Sequence, residues 1–179
     1  MKKIITYAFV LIVLCSCSQE SKRKAEKEKT AQVNESDQDD TARVVLLELE
    51  STYLKRKDRS NANLTIDEYS QIQSLIENRL EEYNKEEEIR YSKLQIEYPN
   101  SKLKKEDFVI NLSHYRRQYV AYLNEKGEKE VWINCFCFAH NNEWKKAVFI
   151  ASDGGNCFFN LTINLTTNKV LDLSVNGNA

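Results

Sequence analysis

The sequence predicts an α+β domain in which one long N-terminal helix packs on a four- to five-stranded antiparallel meander sheet. Three observations carry this reading. Apolar residues recur every three or four positions between Tyr69 and Tyr98, the spacing that lines one face of an α-helix. From Phe108 onward the apolar period falls to two, the alternation of strands with one buried face. Only four glycines and one proline interrupt the 179 residues, which argues against a loop-rich sandwich or a glycine-rich phosphate loop.

Taken in chain order, Lys2 and Lys3 precede an eleven-residue apolar run, Ile4 to Leu14. That run is too short to cross a bilayer and has the form of a secretory signal. It leads into Leu14-Cys15-Ser16-Cys17, which resembles the lipobox of bacterial lipoproteins: an aliphatic residue, a spacer, a small residue and then cysteine. The small residue lets the signal peptidase bring backbone close to the scissile bond. Cys15 fits less well as the modified residue, because bulky Leu14 would then sit beside the cut. The resemblance implies that residues 1–16 are removed and that Cys17 becomes a diacylated, N-acylated terminus. Each buried methylene contributes about 0.8 kcal/mol, so several acyl chains hold the membrane essentially permanently. Ser18 is not the aspartate that retains enteric lipoproteins in the inner membrane, so the outer membrane is the expected location by analogy. The competing readings are an ordinary secretory signal cut nearby and an uncleaved anchor.

Cleavage would take Lys2 and Lys3 with it and leave 24 basic against 27 acidic side chains. That balance carries no electrostatic footprint for nucleic acid. Residues 18–42 hold no aromatic and only Ala and Val as apolar residues. Such a stretch buries too little surface to offset its ordering entropy and is expected to be a disordered tether. Within it, Asp40-Thr41-Ala42 resembles the short acceptor motif for O-glycosylation of exported proteins in Bacteroidota, with Thr41 as acceptor; a helix N-cap explains it equally.

The folded domain then occupies 43–179. "RVVLLELESTYL" (43–54) is apolar enough to pack, and short helix is preferred over strand for it. Thr65, with Glu68 three residues on, forms a capping box at the start of the main helix, expected over about 66–98. Its stripe is Tyr69, Ile72, Ile76, Leu80, Tyr83, Tyr91, Leu94 and Tyr98, with Glu87 falling on the same line. One helix, or two joined by a kink near Asn84, satisfies this spacing, and Pro99-Asn100 ends it. The sheet is expected over about 117–175. Tyr119, Ala121 and Leu123 alternate, "NEKGEK" turns, and Val131–Phe138 returns. A short strand at Ala147–Ala151 follows, then a "SDGGN" turn and a last hairpin, 156–165 with 170–175, around "TTNK".

This order of elements resembles the cystatin-like and PepSY-like group of α+β folds, in which a helix lies across an antiparallel sheet. The stretch from "VWINCFC" to "SDGGNCFFNLTINLTTNKVLDLSVNG" is similar to uncharacterised small lipoproteins of Bacteroidota. The resemblance covers roughly residues 65–179 and implies a binding, inhibitor or accessory module. Its motifs are structural, so it carries no active-site residues over.

Chemistry would have to come from "CFCFAH" (135–140) and Cys157. Cys135 and Cys137 share one face of their strand with Val131 and Ile133, while Cys157 shares a face with Phe159, Leu161, Ile163 and Leu165. A meander through 146–151 would separate the two strands by about 9–10 Å. That is too far for a disulfide or for shared zinc ligands. The three thiols then read as small hydrophobes of the core. If 146–151 leaves the sheet, the strands pair directly and Cys137 comes opposite Cys157; export keeps that disulfide open. A metal or redox site would use Cys135, Cys137, His140 and Cys157.

The even-numbered face of the same sheet carries Tyr122, Trp132, Phe136, Phe138 and Phe158. These aromatics are either a partner-binding patch or a second core covered by "VVLLELESTYL", and the second is preferred. Glu86-Glu87-Glu88 reads as a solvated helix face, and Asp153 before two glycines as a turn. The functional expectation is a lipid-anchored, non-enzymatic binding or inhibitor module of the envelope, with the membrane and an envelope protein as partners and no cofactor. The alternative is a small thiol- or metal-dependent envelope enzyme built on Cys135, Cys137, His140 and Cys157. A structural lipoprotein is a third reading.

Overall fold

Two short strands precede the long helix, so it is not the first element of the domain. In the computed structural model, which describes residues 43–139 and 141–177, the elements run β1 (Val44–Leu46), β2 (Ser60–Asn61), α1 (Ile66–Glu97), β3 (Arg116–Leu123), β4 (Lys129–Phe136), β5 (Phe158–Asn164) and β6 (Lys169–Val175). The signal segment with Cys17, the expected tether with Thr41, and His140 lie outside the described residues.

Helix α1 starts where its cap dictates. The Thr65 hydroxyl accepts from the Glu68 amide, and the Glu68 carboxylate accepts from the Thr65 amide at 2.8 Å. Glu68 also takes the Lys129 ammonium at 2.7 Å, which ties the first turn to β4. Burial alone would raise the Glu68 carboxyl, but the bonds from Lys129 and Thr65 outweigh it and hold it below its ordinary range. The helix runs as one 32-residue element, about 48 Å long at 1.5 Å per residue. Ile72, Ile76 and Leu80 are its buried residues. Asn84 exchanges two hydrogen bonds with the backbone of Ile110, at 2.7 and 2.8 Å, and so fastens the returning chain to the helix. Glu87 pairs with Arg90, and Glu88 with Lys105.

The sheet is mixed. Strands β3 to β6 are antiparallel neighbours in chain order, but β1 pairs parallel with β3, and β2 pairs antiparallel with the end of β3. The helix expected over 43–54 is therefore corrected to an edge strand followed by a 3-10 turn at Leu49–Ser51. A parallel partner far along the chain supplies hydrogen bonds that no periodicity within "VVLLELE" announces. The fifth strand expected at 147–151 is also absent: those residues lie off the sheet, and β4 pairs directly with β5.

Parity places the core as the alternation predicts. Val131 faces Ile163, Ile133 faces Leu161, and Cys135 faces Phe159 across the β4–β5 ladder. All six are buried together with Ile72, Ile76 and Leu80 beneath α1. The opposite face is covered too, by two irregular segments. Leu47 and Leu49 pack on Val120, Tyr122 and Trp132, and Trp144, Phe149 and Ala151 pack around Phe136 and Phe158.

Candidate functional site

Between the end of β4 and the start of β5 lies a long excursion, which brings Trp144, Phe149 and Ala151 over the sheet. Its ends are clasped. Beyond Phe136 and Phe158 the ladder continues for one more pair, with the Cys137 amide donating to the Cys157 carbonyl at 3.0 Å. That register sets the two cysteines directly opposite each other, Cα atoms 5.1 Å apart, and they form a disulfide. Cys137 and Cys157 are thus corrected from core thiols to a cross-strand bridge, because 147–151 does not intervene. Cys135 remains a free, buried core thiol. Burial pushes its thiol far up, and the Arg117 guanidinium offsets this only in part. A thiol so placed is a poor nucleophile.

The excursion is held down by side chains doing the work of a neighbouring strand. Gln118 and Asn134 face each other across β3 and β4. The Gln118 amide donates to the carbonyls of Trp144 and Ala147, and its oxygen accepts from the Phe149 amide at 2.9 Å. Asn134 donates to the Phe149 carbonyl at 2.7 Å. The backbone of 144–149 finds its partners here without joining the ladder. Replacing Gln118 by leucine should remove these bonds and cost roughly 1–3 kcal/mol. Amide exchange at Phe149 should accelerate in the variant; unchanged protection there would contradict the latch.

The proposed aromatic patch lies mostly beneath these covers. Tyr122, Trp132, Phe136 and Phe158 are buried, with Phe136 fully so, and Phe138 alone is exposed, at 45 %. Phe149 stacks on Phe136, Trp144 meets it edge-on, and Tyr53 meets Trp132 edge-on. Of the two readings of this face, the preferred second core is the one this burial fits; its cover comes from Trp144, Phe149 and Ala151 as well as from Leu47 and Leu49. Among the described residues no group of three or more His, Cys, Asp and Glu is placed to hold a metal ion.

A concave surface lies on the helix side. A groove of about 600 Å³ runs between α1 and the β1 edge. Val44, Leu46 and Tyr119 form its strand wall, and Tyr69, Ser70, Gln73, Ser74 and Glu77 its helix wall. Tyr69 stacks on Tyr119 with ring centres 6.0 Å apart. Gln73 accepts from the Arg117 guanidinium and donates to Glu77, both at 2.6 Å. Periodicity does not announce this groove: a helix over 43–54 would take Val44 and Leu46 out of its wall, while Tyr69 and the core residue Tyr119 lie on the apolar faces that their spacing predicts. The available signal was the β-branched pair Val44-Val45, which favours a strand. A second depression, of about 480 Å³, includes Arg79, Tyr83, Glu87 and Arg90. Its arginines pair with Glu82 and Glu87.

Compared with family models, curated proteins and solved structures, the chain matches none of them.

Proposed function

We propose that this chain is a lipid-anchored protein of the bacterial cell envelope, on the outer membrane, whose folded domain is a non-enzymatic binding or inhibitor module. The fate of the cysteines carries the reading. Two are joined in a bridge, which suits an exported chain in an oxidising compartment. The third is sealed in the core. The rival enzyme needs Cys135, Cys137 and Cys157 to act together with His140, and the bridge and the buried thiol weigh against that. The leader and the Leu14-Cys15-Ser16-Cys17 sequence support the anchor. The helix laid on a sheet supports the analogy with the cystatin-like and PepSY-like folds, and that analogy suggests binding over catalysis.

Two measurements test this. Affinity capture from envelope extracts with the full chain should return a stoichiometric protein partner. Metal analysis of the same preparation should find none bound, and stoichiometric zinc or iron would overturn the reading. For the anchor, Cys17→Ala should release the chain from membrane fractions or leave an unprocessed precursor. A Cys17→Ala chain that matures to the same mass and stays with membranes would defeat the lipobox assignment.

A further inference from the structure

The groove beside β1 lies next to an open sheet edge. In the β1–β3 pairing, Arg43 accepts from the Arg117 amide and the Leu47 amide donates to Tyr119. Alternation along the strand then turns the amides and carbonyls of Val44 and Leu46 outward. Strand β1 ends the sheet path, with no strand beyond it among the described residues. The side chains of Val44 and Leu46 line the groove, so the edge and the apolar wall belong to the same two residues. An added strand would find backbone partners on one side and a slot for alternate side chains below.

Dimensions and charge define the occupant. The helix wall from Tyr69 to Glu77 spans about 12 Å, the length of about four extended residues. Among the residues lining the groove, Glu77 is the one charged side chain. The chain just before β1 holds Glu35, Asp37, Asp39 and Asp40 and no cation between them. Like charge makes it a poor match for Glu77. Its lack of aromatic and large aliphatic residues makes it a poor match for the apolar wall.

We propose that this groove takes an extended segment of a partner protein, about four residues long, which pairs with the outer edge of β1. The segment is apolar at alternate positions and carries a lysine or arginine for Glu77. This deepens the binding-module reading and rests on it.

Substitution can separate edge and groove from the fold. Leu46→Pro removes one outward amide, whereas the ladder to β3 uses the amide of Leu47; proline is tolerated at such an edge position. Ser74→Trp fills the groove from an exposed helix position and carries the test alone if Leu46→Pro disturbs folding. The full chain is panned against a displayed library of random peptides, and the enriched sequences are synthesised and titrated. Enriched peptides should alternate apolar and polar residues with a cation. Each variant should weaken them by about tenfold or more, and Glu77→Gln should erase the preference for the cation. Failure to enrich alternating sequences, or equal binding to wild type, Leu46→Pro and Ser74→Trp, overturns the proposal. The binding-module reading would still stand on the affinity capture described above. A concentration-dependent dimer that Leu46→Pro abolishes would assign the edge to a second copy of this chain and equally overturn it.

Discussion

Truncating Phe136 or Trp132 to alanine should destabilise the domain by about 3–5 kcal/mol each, the usual effect of deleting a buried aromatic. Phe136 has no exposed surface, and Trp132 retains 7 % of its own. Around Phe136 the rings of Phe149 and Trp144 lie 4.8 and 5.6 Å away, centre to centre. Aromatic contacts of this kind add about 0.5–1.5 kcal/mol beyond area burial. Trp132 sits under Leu47, Leu49 and Tyr53, which belong to a different segment from the cover over Phe136. Urea denaturation of the full chain reads the change directly. A loss below about 1 kcal/mol with an unchanged slope would mean that these rings do not pack as described. Deleting residues 43–54 removes β1 together with Leu47 and Leu49, so cooperative unfolding should disappear in that chain.

Joint replacement of Cys137 and Cys157 by alanine should cost about 3 kcal/mol. The bridge closes a loop with a sequence separation of 20, and loop-closure entropy for that length in the unfolded chain gives this magnitude. The latch through Gln118 and Asn134 stays in place, so the variant should fold, with its denaturation midpoint lowered. Alkylation followed by mass analysis checks the pairing independently. Cys135 should react only when the chain is unfolded, and Cys137 and Cys157 only after reduction. Alkylation of Cys137 in the folded, unreduced protein would show that the clasp does not form, and no loss of stability on its removal would show that it constrains nothing.

Helix α1 was legible because its determinants are local. The stripe from Ile72 to Leu80 and the reciprocal bonds of Thr65 and Glu68 lie within a few residues of one another. Side-chain parity in β4 and β5 was legible for the same reason, since alternation is a property of one strand. It correctly placed Val131, Ile133, Leu161 and Ile163 on a single buried face. The aromatics of the other face were visible as well, but their cover was not. Trp144 and Phe149 reach Phe136 only because the chain between β4 and β5 folds back.

The sequence by itself determined which residues alternate, where the helix begins, and that the even-numbered aromatics need a cover. Tertiary structure decided which backbone pairs with which. Val44 to Leu46 became a strand because β3 offered it parallel hydrogen bonds, against a local pattern that suited a helix equally well. Residues 147–151 lost their place in the sheet because Gln118 and Asn134 satisfy the backbone from Trp144 to Phe149 with side-chain amides. Once that segment stood aside, β4 and β5 became neighbours, and their register alone set Cys137 opposite Cys157. Each of these outcomes turns on a hydrogen-bonding partner at least 15 residues away along the chain. Hydrophobic periodicity reports which side of a segment is buried; it carries no information about which distant backbone will meet its amides.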